Sequence, residues 1–140
     1  MNMTLWSMVT AGLFVLAQAA FAGDSDGGIA CNPDGVQIEL NACARDEFES
    51  ADAALNAAWK QLIAALEGDA SSLKQTRAAQ RAWLAFRDAE VAAHFPLQDG
   101  EDPNVMYGSM YPMSLHGVTT ALTRQRTEQL RERLAELQAQ

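Results

Sequence analysis

Two cysteines, two histidines and a run of methionines are the side chains with the most reactive chemistry in this 140-residue chain. Cys31 and Cys43 have no histidine or further cysteine near them, which argues against a metal site; in an oxidising compartment two such thiols pair. The bridge would close a loop of roughly a dozen residues, worth about 3 kcal/mol in the chain-entropy model. Met106, Met110, Met113 and His116 recur at steps of four, three and three, one face if the segment is helical. Thioethers suit cuprous copper, so a periplasmic copper-binding protein is an alternative reading. Against it, Gly108 and Pro112 interrupt the segment, and methionines at helical spacing ordinarily fill core. Ser109 and Ser114 lie near His116 in sequence, which is no nucleophile–base geometry. No carboxylate pair has surroundings that would split its acidities. The residues point away from an enzyme and imply no cofactor.

The elements that must position these residues read as helices. From Val36 to Leu66 the apolar residues Leu40, Ala44, Phe48, Ala51, Leu55, Trp59, Leu62 and Leu66 recur at three and four. Gly68 stands where a C-terminal glycine belongs, and a serine among residues 69–72 can cap the next helix. Residues 73–95 contain no Gly or Pro and carry Leu73, Ala79, Ala82, Trp83, Phe86, Ala89 and Ala93, with Leu84, Val91 and Phe95 widening the stripe. So wide a stripe calls for a partner on each side. Residues 96–108 form a longer loop with room for a short helix. A third helix begins between Ser109 and Pro112, and Leu115, Val118, Leu122, Leu130, Leu134 and Leu137 give its apolar side; Gly117 weakens it by about 1 kcal/mol relative to Ala. Val, Ile and Thr never alternate over a strand length, so no sheet is expected.

The expected fold is therefore all-α, an antiparallel three-helix bundle over residues 36–138, with the tryptophan-bearing helix sandwiched between the other two. The short 69–72 connection makes the first two helices antiparallel. Matched rise along them places Asp52 beside Arg87, a surface pair worth less than about 1 kcal/mol.

Residues 1–22 read as a secretory signal peptide, an apolar run closing on Ala20-Phe21-Ala22, although no Lys or Arg precedes the run. An uncleaved membrane anchor is the competing reading, weakened by Gln18 and the small residues. Residues 23–35 form a loose Gly- and Asp-rich segment ending in the Asn32-Pro33-Asp34-Gly35 turn. The net charge of −8 disfavours nucleic acid and anionic membrane surfaces and suits a basic protein.

Three pieces then stand in order: Glu39-Leu40-Asn41-Ala42-Cys43-Ala44, Ala51-Asp52-Ala53-Ala54-Leu55-Asn56, and Ala79-Gln80-Arg81-Ala82-Trp83-Leu84-Ala85-Phe86-Arg87-Asp88-Ala89-Glu90. Gly108-Ser109 and Leu122-Thr123-Arg124-Gln125-Arg126 follow. This resembles the LprI-type lysozyme inhibitor family, over nearly all of the chain beyond the leader. The resemblance implies an exported, disulfide-bearing helical domain of the periplasm or outside, some of whose members bind and inhibit lysozyme; a structural envelope interaction protein is the other reading within binding proteins. The family usually carries a second cysteine pair, at positions that here are Val91 and Val118. That equivalence implies a Val91–Val118 contact and sets Trp83 opposite Arg126, where a cation–π contact is available. Lysozymes are commonly basic, with two carboxylates in their cleft. The side chains best suited to meet them are Tyr107, Ser109 and Tyr111, beside the acidic Asp99, Glu101 and Asp102; the plainer role for the two tyrosines is to pin the loop to the bundle.

Overall fold

A computed structural model describes residues 28–139; the expected leader at 1–22, the start of the loose segment and Gln140 lie outside the described residues. Among the described residues four helices follow one another: α1 Gln37–Ala65, α2 Ala70–His94, a single-turn α3 Pro103–Tyr107, and α4 Tyr111–Gln138 after a 3-10 turn at Gly108–Met110. No strand occurs among the described residues, and Cys31 and Cys43 are joined in a disulfide. The all-α class, the three long helices and the bridge are those the sequence indicates.

Local chemistry fixes the ends. The Glu39 carboxylate accepts the Val36 N–H at 2.9 Å, one half of a capping box. Past α1, Gly68 sits at φ 101°, the left-handed conformation that closes a helix without a Cβ penalty. The cap of α2 is Asp69 rather than a serine. Its carboxylate accepts the backbone N–H of Ser72 at 3.0 Å and the Ser72 hydroxyl at 2.6 Å. Those bonds, the hydroxyl's foremost, hold the Asp69 carboxyl below its ordinary value. Asp102 caps α3 through the Asn104 N–H at 2.7 Å, and Pro112 occupies the first turn of α4, where its missing donor costs nothing.

The helices run up, down and up. Gln37 donates to the Met113 sulfur at 3.9 Å and Arg124 to Glu47 at 3.3 Å, so α1 and α4 rise in parallel. Arg126 donates to Gln80 at 3.0 Å, and Phe95 meets Tyr111 with ring centroids 5.3 Å apart, so α2 descends against α4.

The core does not lie where the aromatic pattern places it. Every buried residue among those described belongs to α1, its cap Leu66, or α4: Ala42, Ala51, Leu55, Ala58, Leu62, Leu66, Thr120, Thr123, Thr127 and Leu130. Small side chains face one another along this seam, so the two helices approach closely. Helix α2 has no buried residue. It rests on the cluster through half-buried Leu73 and Trp83, while Phe86 is 52% exposed and Ala79, Ala82, Ala89 and Ala93 face outward. The expectation of a sandwiched tryptophan helix is thus corrected: α2 is the outer layer, because bulky Trp59, Leu73 and Trp83 fill the space between it and the seam that alanine and threonine leave closed elsewhere.

The Asp52–Arg87 pair fails for the same reason. Asp52 accepts from Asn56 at 2.8 Å, and Arg87 pairs with Asp88 at 2.7 Å while lying over the Trp83 ring at 5.6 Å. The α2–α4 register is the anticipated one, with the Arg126 guanidinium 5.9 Å from the centroid of the Trp83 ring. Burial beneath that ring pulls the Arg126 pKa down, though an arginine starts too high to lose its charge. Val91 and Val118, both half-buried, lie along these facing helices.

Candidate functional site

The up-down-up course sorts charge to the ends of the molecule. Residues 28–50 and 85–125 gather at one end and hold ten Asp and Glu against three arginines. Each arginine is paired: Arg45 with Asp46, Arg87 with Asp88, and Arg124 with Glu47. The other end, built from the remaining described residues, carries six acidic against seven basic side chains and is close to balanced. The net negative charge is therefore concentrated at one end, where it sets up a directed field rather than a diffuse one.

The 96–110 connection crosses this acidic end. Its tyrosines are engaged from within. The Tyr107 hydroxyl donates to the Pro96 carbonyl at 2.7 Å; Phe95 meets Tyr107 and Tyr111 edge-on at 5.5 and 5.3 Å; the two tyrosines stack at 5.8 Å. Three rings with offset and edge-to-face contacts make a rigid platform. Tyr107 and Tyr111 take the pinning role. Ser109 is exposed, and its carbonyl accepts from Asn41 at 3.0 Å, which ties the loop to α1. Among the acidic residues, Glu101 accepts the Gln98 N–H at 2.8 Å, Asp102 caps α3, and Asp99 is exposed.

What the platform lifts outward is apolar. Val105 is 80% exposed, with Met106, Met110 and Leu97 also open. Exposed aliphatics on a connection that also carries Asp99, Glu101 and Asp102 have the character of a protein contact. In the sequence Met106 and Met110 stand out only for a copper face, and Val105 and Leu97 not at all. A sequence signal did exist, because apolar Val105 and Met106 follow directly on the Asp102-Pro103 helix start, where a solvated loop would carry polar residues.

The Met/His set is divided. Met113 receives Gln37 and lines a cleft between α1 and α4; His116 stacks on Phe48 at 5.6 Å and lines a different cleft, with Arg45 and Pro112. Met106 and Met110 project from α3 and the 3-10 turn. Among the described residues no cluster of three or more His, Cys, Asp or Glu could hold a metal ion, and no helix is long and apolar enough to cross a membrane.

A family model described as "Lysozyme inhibitor LprI" matches residues 30–130. An uncharacterized protein of Rhizobium meliloti (strain 1021) is 35% identical over 108 residues, covering 69% of this chain and 72% of its own. No solved structure matches.

Proposed function

The chain belongs to the LprI lysozyme inhibitor family, and from that premise we propose that it is an exported envelope protein that inhibits a lysozyme by protein–protein binding. The observation that carries the reading is the acidic end with its exposed aliphatic loop. A basic lysozyme is drawn toward that end by long-range attraction, which raises the association rate in low salt. The loop residues Val105, Met106 and Met110 then give short-range burial, held up by the ring platform of Phe95, Tyr107 and Tyr111. Asp99, Glu101 and Asp102 form the rim, and Ser109 lies beside it. Stiffness matters here, since a loop ordered in advance loses less entropy on docking. The family is one of inhibitors, and the role needs no chemistry from this chain. Residues 1–22 serve as a cleaved leader to the periplasm or beyond, and residues 36–138 act as the binding domain.

The test is lysozyme turnover on purified cell walls, with and without the protein, against several lysozyme types. Inhibition at micromolar concentration is expected, weakening as salt is raised. No slowing against any type at large excess rejects the reading. Val105→Ser with Met106→Ser should weaken inhibition by about tenfold, about 1.4 kcal/mol of binding energy, without shifting the thermal midpoint.

A further inference from the structure

The acidic end also holds a cleft. It lies between the first halves of α1 and α4, about 350 Å³ in volume, lined by Leu40, Ala44, Met113 and Gly117, with the Cys43 half of the disulfide at its side and Glu47 at its rim. Sites of this kind are mostly apolar with a few placed polar groups. Here the buried polar group is Thr120, 4% exposed, whose hydroxyl has no hydrogen-bond partner. A buried hydroxyl left unpaired is costly to the free protein.

Gly117 is the second observation. It sits inside α4, where glycine weakens a helix. Its backbone is not in the left-handed region, and a Cβ built there meets no heavy atom within 4 Å. Neither conformation nor packing requires glycine at this place. It lines the cleft with open space beside it, so a side chain much longer than alanine's would project into that space.

We infer that this cleft is an anchor pocket for one aliphatic side chain of a basic protein, presented beside a lysine or arginine. The volume fits a side chain with its adjoining backbone, and the lining suits leucine or methionine. Glu47 at the rim is already paired with Arg124 at 3.3 Å, so it is the surrounding excess of ten carboxylates over three arginines at this end that selects a cationic neighbour over an acidic one. The inference rests on the proposed binding of a basic partner and says where part of that partner is seated.

Two measurements keep the pocket and the inhibitor reading apart. In the first, the amide spectrum of the purified protein is titrated with the peptide acetyl-Lys-Leu-Lys-amide, and with acetyl-Lys-Gly-Lys-amide as the charge control. Saturable shifts at Leu40, Ala44, Met113 and Gly117 are expected with the leucine peptide alone, and Gly117→Leu, which fills the cleft, should abolish them. Gly117→Ala serves as the folding control, since it should keep the helix content and the pocket. No saturable shift at these amides, equal shifts with both peptides, or equal shifts in the Gly117→Leu protein would overturn the pocket. In the second, lysozyme affinity is compared between the parent and Gly117→Leu. A loss of about tenfold or more supports the anchor, and an unchanged affinity overturns it. A parent protein that seats the peptide yet binds no lysozyme sinks the inhibitor reading and leaves the pocket to another basic protein.

Discussion

The seam between α1 and α4 and the contact between α2 and α4 use opposite materials. The seam is built from alanine, threonine and leucine and contains every buried residue among those described; α2 offers a tryptophan, two phenylalanines nearby, and nothing buried. The difference teaches that side-chain size decides which helices close on each other, and total hydrophobicity does not. Alanine and threonine let backbones approach, and leucines then fill the widening end around Leu62 and Leu130. Large rings hold α2 at a distance and leave its alanine face and Phe86 to solvent.

The sharpest way to break this contrast is a paired truncation. Leu62→Ala, at a position 1% exposed, should cost about 2 to 5 kcal/mol in chemical denaturation. Phe86→Ala, though it removes a larger side chain from the supposed aromatic core, should change stability by about 0.5 kcal/mol or less. Comparable losses at both positions would restore α2 to the core. The disulfide comes next. Replacing Cys31 and Cys43 together by serine should cost about 3 kcal/mol and leave far-ultraviolet helicity intact below the transition, since the bridge ties down the strap before α1 and not the seam. A smaller effect of opposite sign is expected within the seam. Thr123 is 0% exposed and its hydroxyl has no partner, so Thr123→Val should stabilise by about 1 kcal/mol. Destabilisation there would mean that the hydroxyl is satisfied after all.

The least effect belongs to the entry into α2. Asp69 is fully exposed, and its bonds to Ser72 depress its carboxyl below the usual 3.8. A depressed acid contributes stability that is complete above the unfolded value and vanishes as pH falls through the folded one. Asp69→Asn should therefore melt slightly below the parent at neutral pH, and the two melting curves should converge as the solution is acidified through that range.

These contrasts also explain how much could be read from the chain alone. The second half of the α1 stripe was legible because Ala51, Leu55, Leu62 and Leu66 recur at four, seven and four, and Gly68 marked its end; buried Ala42 and Ala58 lay outside the stripe. The α2–α4 register was legible through the resemblance, which set Trp83 against Arg126. The core face of α4 was not, since its buried positions before Leu130 are Thr120, Thr123 and Thr127, and threonine reads as polar although its methyl packs like valine's. The apparent stripe of Leu115, Val118 and Leu122 took its place; those residues are only half-buried. Pairing along sequence neighbours misplaced Asp52 and Arg87, because a short turn fixes direction without fixing distance. At the candidate site, the acidic loop was visible in the sequence, but which of its side chains turn outward depends on the ring platform, and that is a matter of three residues meeting in space.

One consequence follows from the parallel seam. Its facing positions stand 76 and 77 residues apart in the chain, as Gln37 to Met113 and Glu47 to Arg124. No amino-terminal fragment stopping short of Leu130 contains the whole of both walls, so the leading helix is made with its alanine and leucine ridge bare. Closure is a late, long-loop event. A nascent chain passing outward in extended form would stay threadable until nearly its last turn had cleared the exit.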